Sequence, residues 1–307
     1  MPDSPASLRR KIGSAADLQS VVRAMKAQAA ASVGQYERSV AALGDYARTV
    51  ELGLAVCFRQ AQPAPAPPPR YAAKGHGNVR AIVFGSDQGL VGRFNDIVLD
   101  HAAQSLAGLS DHAQVWAVGE RVHDGLVASG TPVLGVFAVP NSVQAIAALV
   151  GQILVTVIED SDSPESPGAT AELHLFHNRP VSGSAYEPLG QRLLPLDETW
   201  RRSLTQVPWP TGMLPEILGS APATLRALIR EYLFVSIFRA CAESLASEHA
   251  SRLAAMDRAE RNIDKMLVTL HDNFHRMRQG RIDEELSDVI SGFKALQADV
   301  ETRDHRR

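Results

Sequence analysis

The sequence predicts an α/β fold with a long α-helical coiled coil: an antiparallel pair of helices, one from each end of the chain, flanks a central α/β domain. Three observations predict it. No proline follows Pro222, and only Gly280 and Gly292 interrupt the helix-forming residues from there to Arg307. No proline separates Pro5 from Pro63, and apolar residues recur across that stretch at alternating steps of three and four. Between these ends, short β-branched runs alternate with helical patterns.

The first helix is expected over residues 1–60. Its seam reads Leu8, Ile12, Ala15, Gln19, Val22, Ala29, Val33, Tyr36, Val40, Leu43, Ala47, Val50, Leu54 and Cys57. A period of about 3.5 residues winds such a helix around a partner in a left-handed supercoil. Only Lys26 breaks the series, with Met25 beside it. Residues 61–69 read AQPAPAPPP, a polyproline-type stretch that stops the helix and opens a linker over 61–78. A ligand for a proline-binding domain is the other reading of that stretch.

The domain expected over 79–221 begins with the strand VRAIVF at 79–84, ended by Gly85. Ile97, Val98, Ala102 and Leu106 follow at helical spacing, then a strand at 115–118, a helix at 122–127 and an extended run at 133–139. Val143, Ile146, Val150, Ile153 and Val157 share one helical face, and strands are expected at 171–176 and 192–196. The alternation predicts a parallel sheet with Rossmann-like layers. Residues 161–167 read as a surface loop, and Pro208, Pro210 and Pro215 keep the return to the last helix irregular.

The turn after the first strand, Gly85-Ser86-Asp87-Gln88-Gly89-Leu90-Val91-Gly92, lies where an open sheet can bind phosphate. It does not read G-x-G-x-x-G, and G-x-x-x-x-G-K-[ST] occurs nowhere. A tight structural turn built by Gly85, Asp87, Gly89 and Gly92 is the better reading. His174 and His177 have opposite parity on a strand, so they point to opposite faces and share no metal. Ser86, Asp87 and His76 resemble a catalytic triad in composition only, without an elbow motif.

The last helix is expected over 222–307. Met256, Ala259, Ile263, Met266, Leu270, Phe274 and Met277 form its seam, which restarts in a shifted phase as Ile282, Leu286, Val289, Phe293, Leu296 and Val300. The step falls at Gln279 and Gly280, where glycine weakens the helix by about 1 kcal/mol relative to alanine. Ion pairs at i,i+4 are expected between Asp257 and Arg261, Asp272 and Arg276, and Arg281 and Glu285. Chain order makes the two rods antiparallel. The first is about 80 Å long and the second about 120 Å, which leaves the last ~25 residues of the second without an internal partner. That overhang carries Leu286, Val289, Ile290, Phe293 and Leu296, an apolar stripe that implies a protein surface around it.

A formal net charge of −3, with no basic run longer than Arg9-Arg10-Lys11 and only the pair Arg306-Arg307 at the other end, gives no nucleic-acid footprint. Cys57 and Cys241 fall within helical apolar patterns and read as buried small hydrophobes, not as a disulfide or a metal site. No apolar run is long enough to span a membrane, and the start lacks a signal peptide's apolar region, so a soluble chain is expected.

The chain resembles the gamma subunits of rotary ATP synthases. The likeness rests on Lys11-Ile12 and Val22-Arg23-Ala24-Met25-Lys26 in the first helix, and on Ser86-Asp87-Gln88-Gly89-Leu90 with Gly92 and Asn95 in the turn. It continues through Leu245-Ala246-Ser247-Glu248-His249-Ala250-Ser251-Arg252 with Met256, and through Arg278-Gln279-Gly280-Arg281-Ile282-Asp283-Glu284-Glu285-Leu286 followed by Val289-Ile290-Ser291-Gly292. Gln88, Val91 and Arg93 stand where the family usually has Arg, Cys and Gly, Asp283 stands for Thr, and the proline spacer is atypical, which marks a divergent branch.

The resemblance implies a non-catalytic central shaft that binds no nucleotide, cofactor or metal. Its coiled coil would sit in a ring of alpha and beta subunits, its globular foot on epsilon and the membrane rotor (c) ring, at the cytoplasmic face of the bacterial plasma membrane. It further implies coupling contacts with beta at Met25, Arg252, Arg278, Gln279 and Glu285, with Met25, Arg252 and Gln279 in one patch. Read from the residues alone, Met25 fills the seam, Arg252 and Glu285 are solvated helix charges, and Gln279 is an ordinary helix position. A coiled-coil scaffold, or a nucleotide-binding enzyme with a helical arm, remain the other readings of the chain.

Overall fold

The computed structural model describes residues 4–60, 79–110, 113–159, 172–181, 186–213 and 215–304. The proline-rich spacer, the loop at 161–167 and His76 lie outside the described residues, as do the side chains of Phe293, Leu296 and Val300. Two compact units are present, residues 27–255 and residues 1–26 with 256–307, and the long helices α1 (Pro5–Gln60) and α6 (Ala221–Asp304) contribute to both.

The larger unit is built on a five-stranded sheet. In chain order its elements are β1 (Val79–Phe84), α2 (Phe94–Ala107), β2 (Gln114–Val118), α3 (Glu120–Ala128), β3 (Val133–Phe137), α4 (Val143–Ile153), a π-helix (Leu154–Glu159), β4 (Glu172–Pro180), β5 (Tyr186–Leu194) and α5 (Glu198–Gln206). Strand order is β3-β2-β1-β4-β5, and the first four strands are parallel. The chain winds outward from β1 to β3 and then crosses to the other side of β1, so the topological switch point lies between β1 and β4.

β5 departs from the expected parallel sheet. It pairs antiparallel with β4, from Pro180 opposite Tyr186 to Leu173 opposite Leu194. Only residues 181–185 join the two strands, and a link that short makes a hairpin, whereas a parallel return needs a dozen residues or more. The strand expected at 192–196 is therefore the end of a longer one. α5 was not expected at all; Asp197 caps it by accepting a hydrogen bond from the Trp200 amide at 3.0 Å. Val157 packs in the same cluster as Ile146, Val150 and Ile153, as expected, although the chain there is a π-helix that continues α4.

Both faces of the sheet are covered, which explains why VRAIVF is apolar almost throughout. Val79, Ala81 and Val83 pack with Val98, Ala102 and Leu106 of α2 and Val122 and Leu126 of α3. Ile82, Phe84 and Leu175 on the other face pack with Ile146, Val150 and Ile153 of α4 and with Leu233, Ile237, Cys241 and Leu245 of α6. Tyr36 of α1 joins that second cluster. His174 and His177 take opposite faces as parity requires, His174 stacked near Phe176 and His177 bonded to Glu243 of α6.

The smaller unit is the antiparallel pair of α1 and α6. Arg9 lies over the Phe274 ring at 5.4 Å, Gln19 bonds Asp264, Arg23 bonds Glu260, and Lys26 bonds Asp257. In all four pairs the two residue numbers add to 283. Leu8, Ala15, Val22, Met256 and Ile263 are buried. Met266, expected in the seam, is 44 % exposed, and half-buried Leu267 takes its place because a step of four from Ile263 keeps the 3.5-residue period.

Candidate functional site

The residues singled out in sequence fall in two places. The first joins the β1 turn to α6. The Gly85 amide donates to the Val118 carbonyl at 2.8 Å, and a Cβ at Gly85 would meet Val122 Cγ2 at 2.1 Å and Asn95 Oδ1 at 2.8 Å. Fully buried Ser86 donates from its amide to Asn95 Oδ1 at 3.0 Å and from Oγ to the Gln88 carbonyl at 2.9 Å. Gly92 has φ of 58°, in the left-handed region, as does Leu90 at 63°. Gly89 is required by neither space nor backbone, since the nearest atom to its would-be Cβ is 3.8 Å away.

Asp87 decides what this turn can do. Its Oδ1 accepts from the Glu120 amide, in the first turn of α3, at 3.1 Å, and its Oδ2 accepts from the Val139 amide, beyond β3, at 3.0 Å. A carboxylate thus occupies the amide end of α3, the kind of place where an open sheet offers its dipole to an anionic ligand. The departures are placed as well: Val91 is buried, and Arg93 holds the N-cap position of α2 without a side-chain cap bond.

α6 closes against this turn. Ser251 Oγ donates to the Val91 carbonyl at 2.6 Å, and Arg252 donates to Glu248 Oε1 at 2.7 Å. The Arg252 and Glu248 side chains are 10 % and 7 % exposed, so Arg252 is no solvated helix charge. Burial pushes the Glu248 carboxyl up, Arg252 opposes that shift, and the nearby Asp87 charge adds to it. His249 stacks on Tyr36 with ring centroids 5.5 Å apart, and burial, then the Arg252 charge, lowers its pKa to about 4. The two motifs of the larger unit that look alike to the gamma family are therefore in contact, a fact that spacing along the chain cannot reveal.

The second place is the coiled-coil pair. Lys26, which breaks the apolar series, donates to Asp257 at 2.6 Å and Glu260 at 3.0 Å, and Arg23 reaches Glu260 at 2.8 Å. Those contacts raise the Lys26 pKa and lower the pKa values of Asp257 and Glu260. A polar rung inside an apolar seam fixes axial register. Met25 is half-buried, whereas Arg278, Gln279 and Glu285 are exposed. The constant pairing sum places Met25 level with Arg258, some 21 residues and about 30 Å along the helix from Gln279, so these two do not share one patch.

The same sum sets Pro5, the first residue of α1, opposite Arg278. Beyond that level α6 has no α1 partner, and Ile282, Leu286, Val289 and Ile290 are 48–70 % exposed. Arg281 and Glu285 form the expected pair at 3.8 Å, and Arg261 pairs with Asp257. Arg276 instead donates to Asn273 at 3.2 Å, one residue nearer than the expected Asp272.

Two other features bear on chemistry. A cavity of about 360 Å³ lies between α1, β4, β5, α5 and α6. Of its charged walls, Arg179 pairs with Glu187, and Glu243 pairs with both His177 and Arg239. Glu120, His123 and Asp124 bring ligand atoms within 4.8 Å of one another at the surface of α3, both carboxylates exposed.

A family model described as ATP synthase matches residues 4–296. The chain is 28 % identical over 293 residues to the ATP synthase gamma chain of Moorella thermoacetica, covering 94 % of this chain and 98 % of that one. It is 29 % identical over 294 residues to the ATP synthase gamma chain of Chelativorans sp., with the same coverage. Among solved structures it resembles a chain of the Euglena gracilis mitochondrial ATP synthase, OSCP/F1/c-ring, at a TM-score of 0.59 and 15 % identity over 96 % of this chain and 95 % of that one. A chain of the Tetrahymena thermophila mitochondrial ATP synthase central stalk and c-ring matches at a TM-score of 0.52 and 20 % identity, over 78 % of this chain and 99 % of that one. At those identities the structural likeness speaks for the fold.

Proposed function

This chain belongs to the family of ATP synthase gamma chains, and from that membership we propose that it is the central rotating shaft of an F-type ATP synthase. It is a non-catalytic subunit. The coiled coil turns inside a ring of alpha and beta subunits, and the α/β domain is the foot that docks on epsilon and the c-ring. Ion passage through that ring is thereby coupled to ATP synthesis or hydrolysis at beta. The shaft favours each beta state in turn through contacts that differ between those states. The complex is membrane-associated, and we place this subunit at the cytoplasmic face of the bacterial plasma membrane; among the described residues no helix is long and apolar enough to cross one.

One observation supports this most strongly. α6 runs past the end of α1 with exposed Ile282, Leu286, Val289 and Ile290, a stripe that needs a sleeve from other subunits. Arg278, Gln279 and Glu285 stand exposed at the start of that free stretch and supply its contacts with beta, while Met25 and Arg252 supply separate contacts. The experiment is reconstitution with alpha, beta, epsilon and the c-ring in vesicles. Gln279→Ala and Glu285→Ala should lower ion uptake per ATP, or the hydrolysis rate itself, severalfold at unchanged subunit composition. Full rate and full uptake in both variants would remove these positions from the coupling set, and failure of the wild-type chain to co-assemble would remove the shaft reading.

A further inference from the structure

α6 meets the sheet through Leu233, Ile237 and Leu245, but from Ala240 to Ser251 its buried residues are mostly small. Ala240, Cys241, Ala242, Ser244, Ala246, Ser247, Ala250 and Ser251 are buried there, with Leu245 and Glu248 the large side chains among them. Small residues let a helix approach closely, but they make shallow knobs, and apolar contact is non-directional. Over that stretch, packing alone therefore resists rotation of α6 about its own axis less than a row of large knobs would.

A line of polar side chains at steps of four supplies what the packing lacks. Glu243 bonds His177 Nε2 at 2.9 Å, Ser247 Oγ donates to the Asn178 carbonyl at 3.1 Å, and Ser251 Oγ donates to the Val91 carbonyl at 2.6 Å. Residues i, i+4 and i+8 lie on one helix face, so the three bonds run in a row over two turns. Their partners are fixed: His177 and Asn178 are in β4, and Val91 is in the β1 turn. His177, Asn178, Ser247 and Ser251 are at least nine-tenths buried. Asn178 is tied onward, its Nδ2 donating to the Phe94 carbonyl at 2.8 Å, at the first turn of α2. A hydrogen bond weakens steeply with angle, which is the property that an angular lock requires.

We propose that Glu243, Ser247 and Ser251 form a rotational anchor that carries torque between the α/β domain and α6. They are positioning residues, and the assignment rests on the shaft reading above. A shaft that slips at its foot still permits ATP hydrolysis in the alpha–beta ring, but it transmits less rotation to the membrane ring.

The test is the Ser247→Ala/Ser251→Ala double variant in the complete enzyme, reconstituted in vesicles beside wild type. ATP hydrolysis should stay within about twofold of wild type, while ion uptake per ATP and ATP synthesis fall at least threefold. Ser247→Thr/Ser251→Thr, which keeps both hydroxyls, should recover part of the uptake. Unchanged uptake in the alanine variant, or hydrolysis and uptake falling in parallel, overturns the anchor. If the double variant does not assemble, Ser251→Ala alone is read by the same criteria. A wild-type complex that neither assembles nor pumps would count against the shaft reading itself, so the two failures are distinct.

Discussion

Within the β1 turn, three glycines that look equivalent in sequence are physically different. Gly85→Ala drives a methyl into Val122 and Asn95 and should destabilise the chain by about 1–3 kcal/mol. Gly89→Ala meets nothing closer than 3.8 Å and should change stability by no more than about 0.5 kcal/mol. Denaturant midpoints of the two variants check this, and equal losses would show that the turn is adjusted differently from the geometry described. His249 gives a pH signature. An unfolded imidazole titrates near 6.5 and the folded one near 4, so between those values the unfolded chain binds the extra proton. Stability contributed by a neutral His249 is complete above about 6.5 and is lost as pH falls toward 4. Glu248, pushed up by burial, gives the opposite slope, so the comparison is wild type against His249→Gln. The variant should lose less stability on acidification. An identical acid slope in both proteins would show that the imidazole is not held neutral.

At the scale of elements, the long helices were legible because proline is absent and the seam keeps its period over many turns. Leu8, Ala15, Val22, Ala29 and Tyr36, each seven apart, are all at most 6 % exposed. The antiparallel β5 was hidden because Tyr186-Glu187-Pro188-Leu189-Gly190 has a proline and a glycine where a strand pattern should be continuous. α5 was hidden because residues 198–206 are mostly polar and bury only Leu204. Of the site, the turn could be found from its glycines. The depth of Arg252 could not, because an arginine four residues from a glutamate reads as a surface pair, whereas here both side chains are buried. The bare end of α6 yields an element-level expectation. In the free chain, amides beyond about Gln279 should exchange rapidly, and in the assembled enzyme they should be protected. Equal protection in both states would mean that the chain covers its own stripe.

For the whole molecule, the polar groups at the two places best shaped for a ligand are engaged by partners within the chain. Asp87 holds the amide end of α3, and at the 360 Å³ cavity Glu243 is paired with His177 and Arg239, and Arg179 with Glu187. The purified chain, free of beta subunit, should therefore hydrolyse no ATP; turnover that co-purifies with it through successive columns would contradict the non-catalytic assignment. The pairing of α1 with α6 has one more consequence, for how the length of this protein can change. In the smaller unit, level partners such as Gln19 and Asp264, Arg23 and Glu260, and Lys26 and Asp257 add to 283, so the two helices behave as two rulers read in opposite directions. One residue added to α1 between Ile12 and Lys26 would turn everything before it by about 100°, carrying Leu8 and Ile12 off the seam. Seven added residues would restore the face and extend the cover from Arg278 to Glu285, swallowing Ile282. The bare tip can thus be lengthened or shortened from the α1 side only in whole heptads, so its reach comes in quanta of about 10 Å.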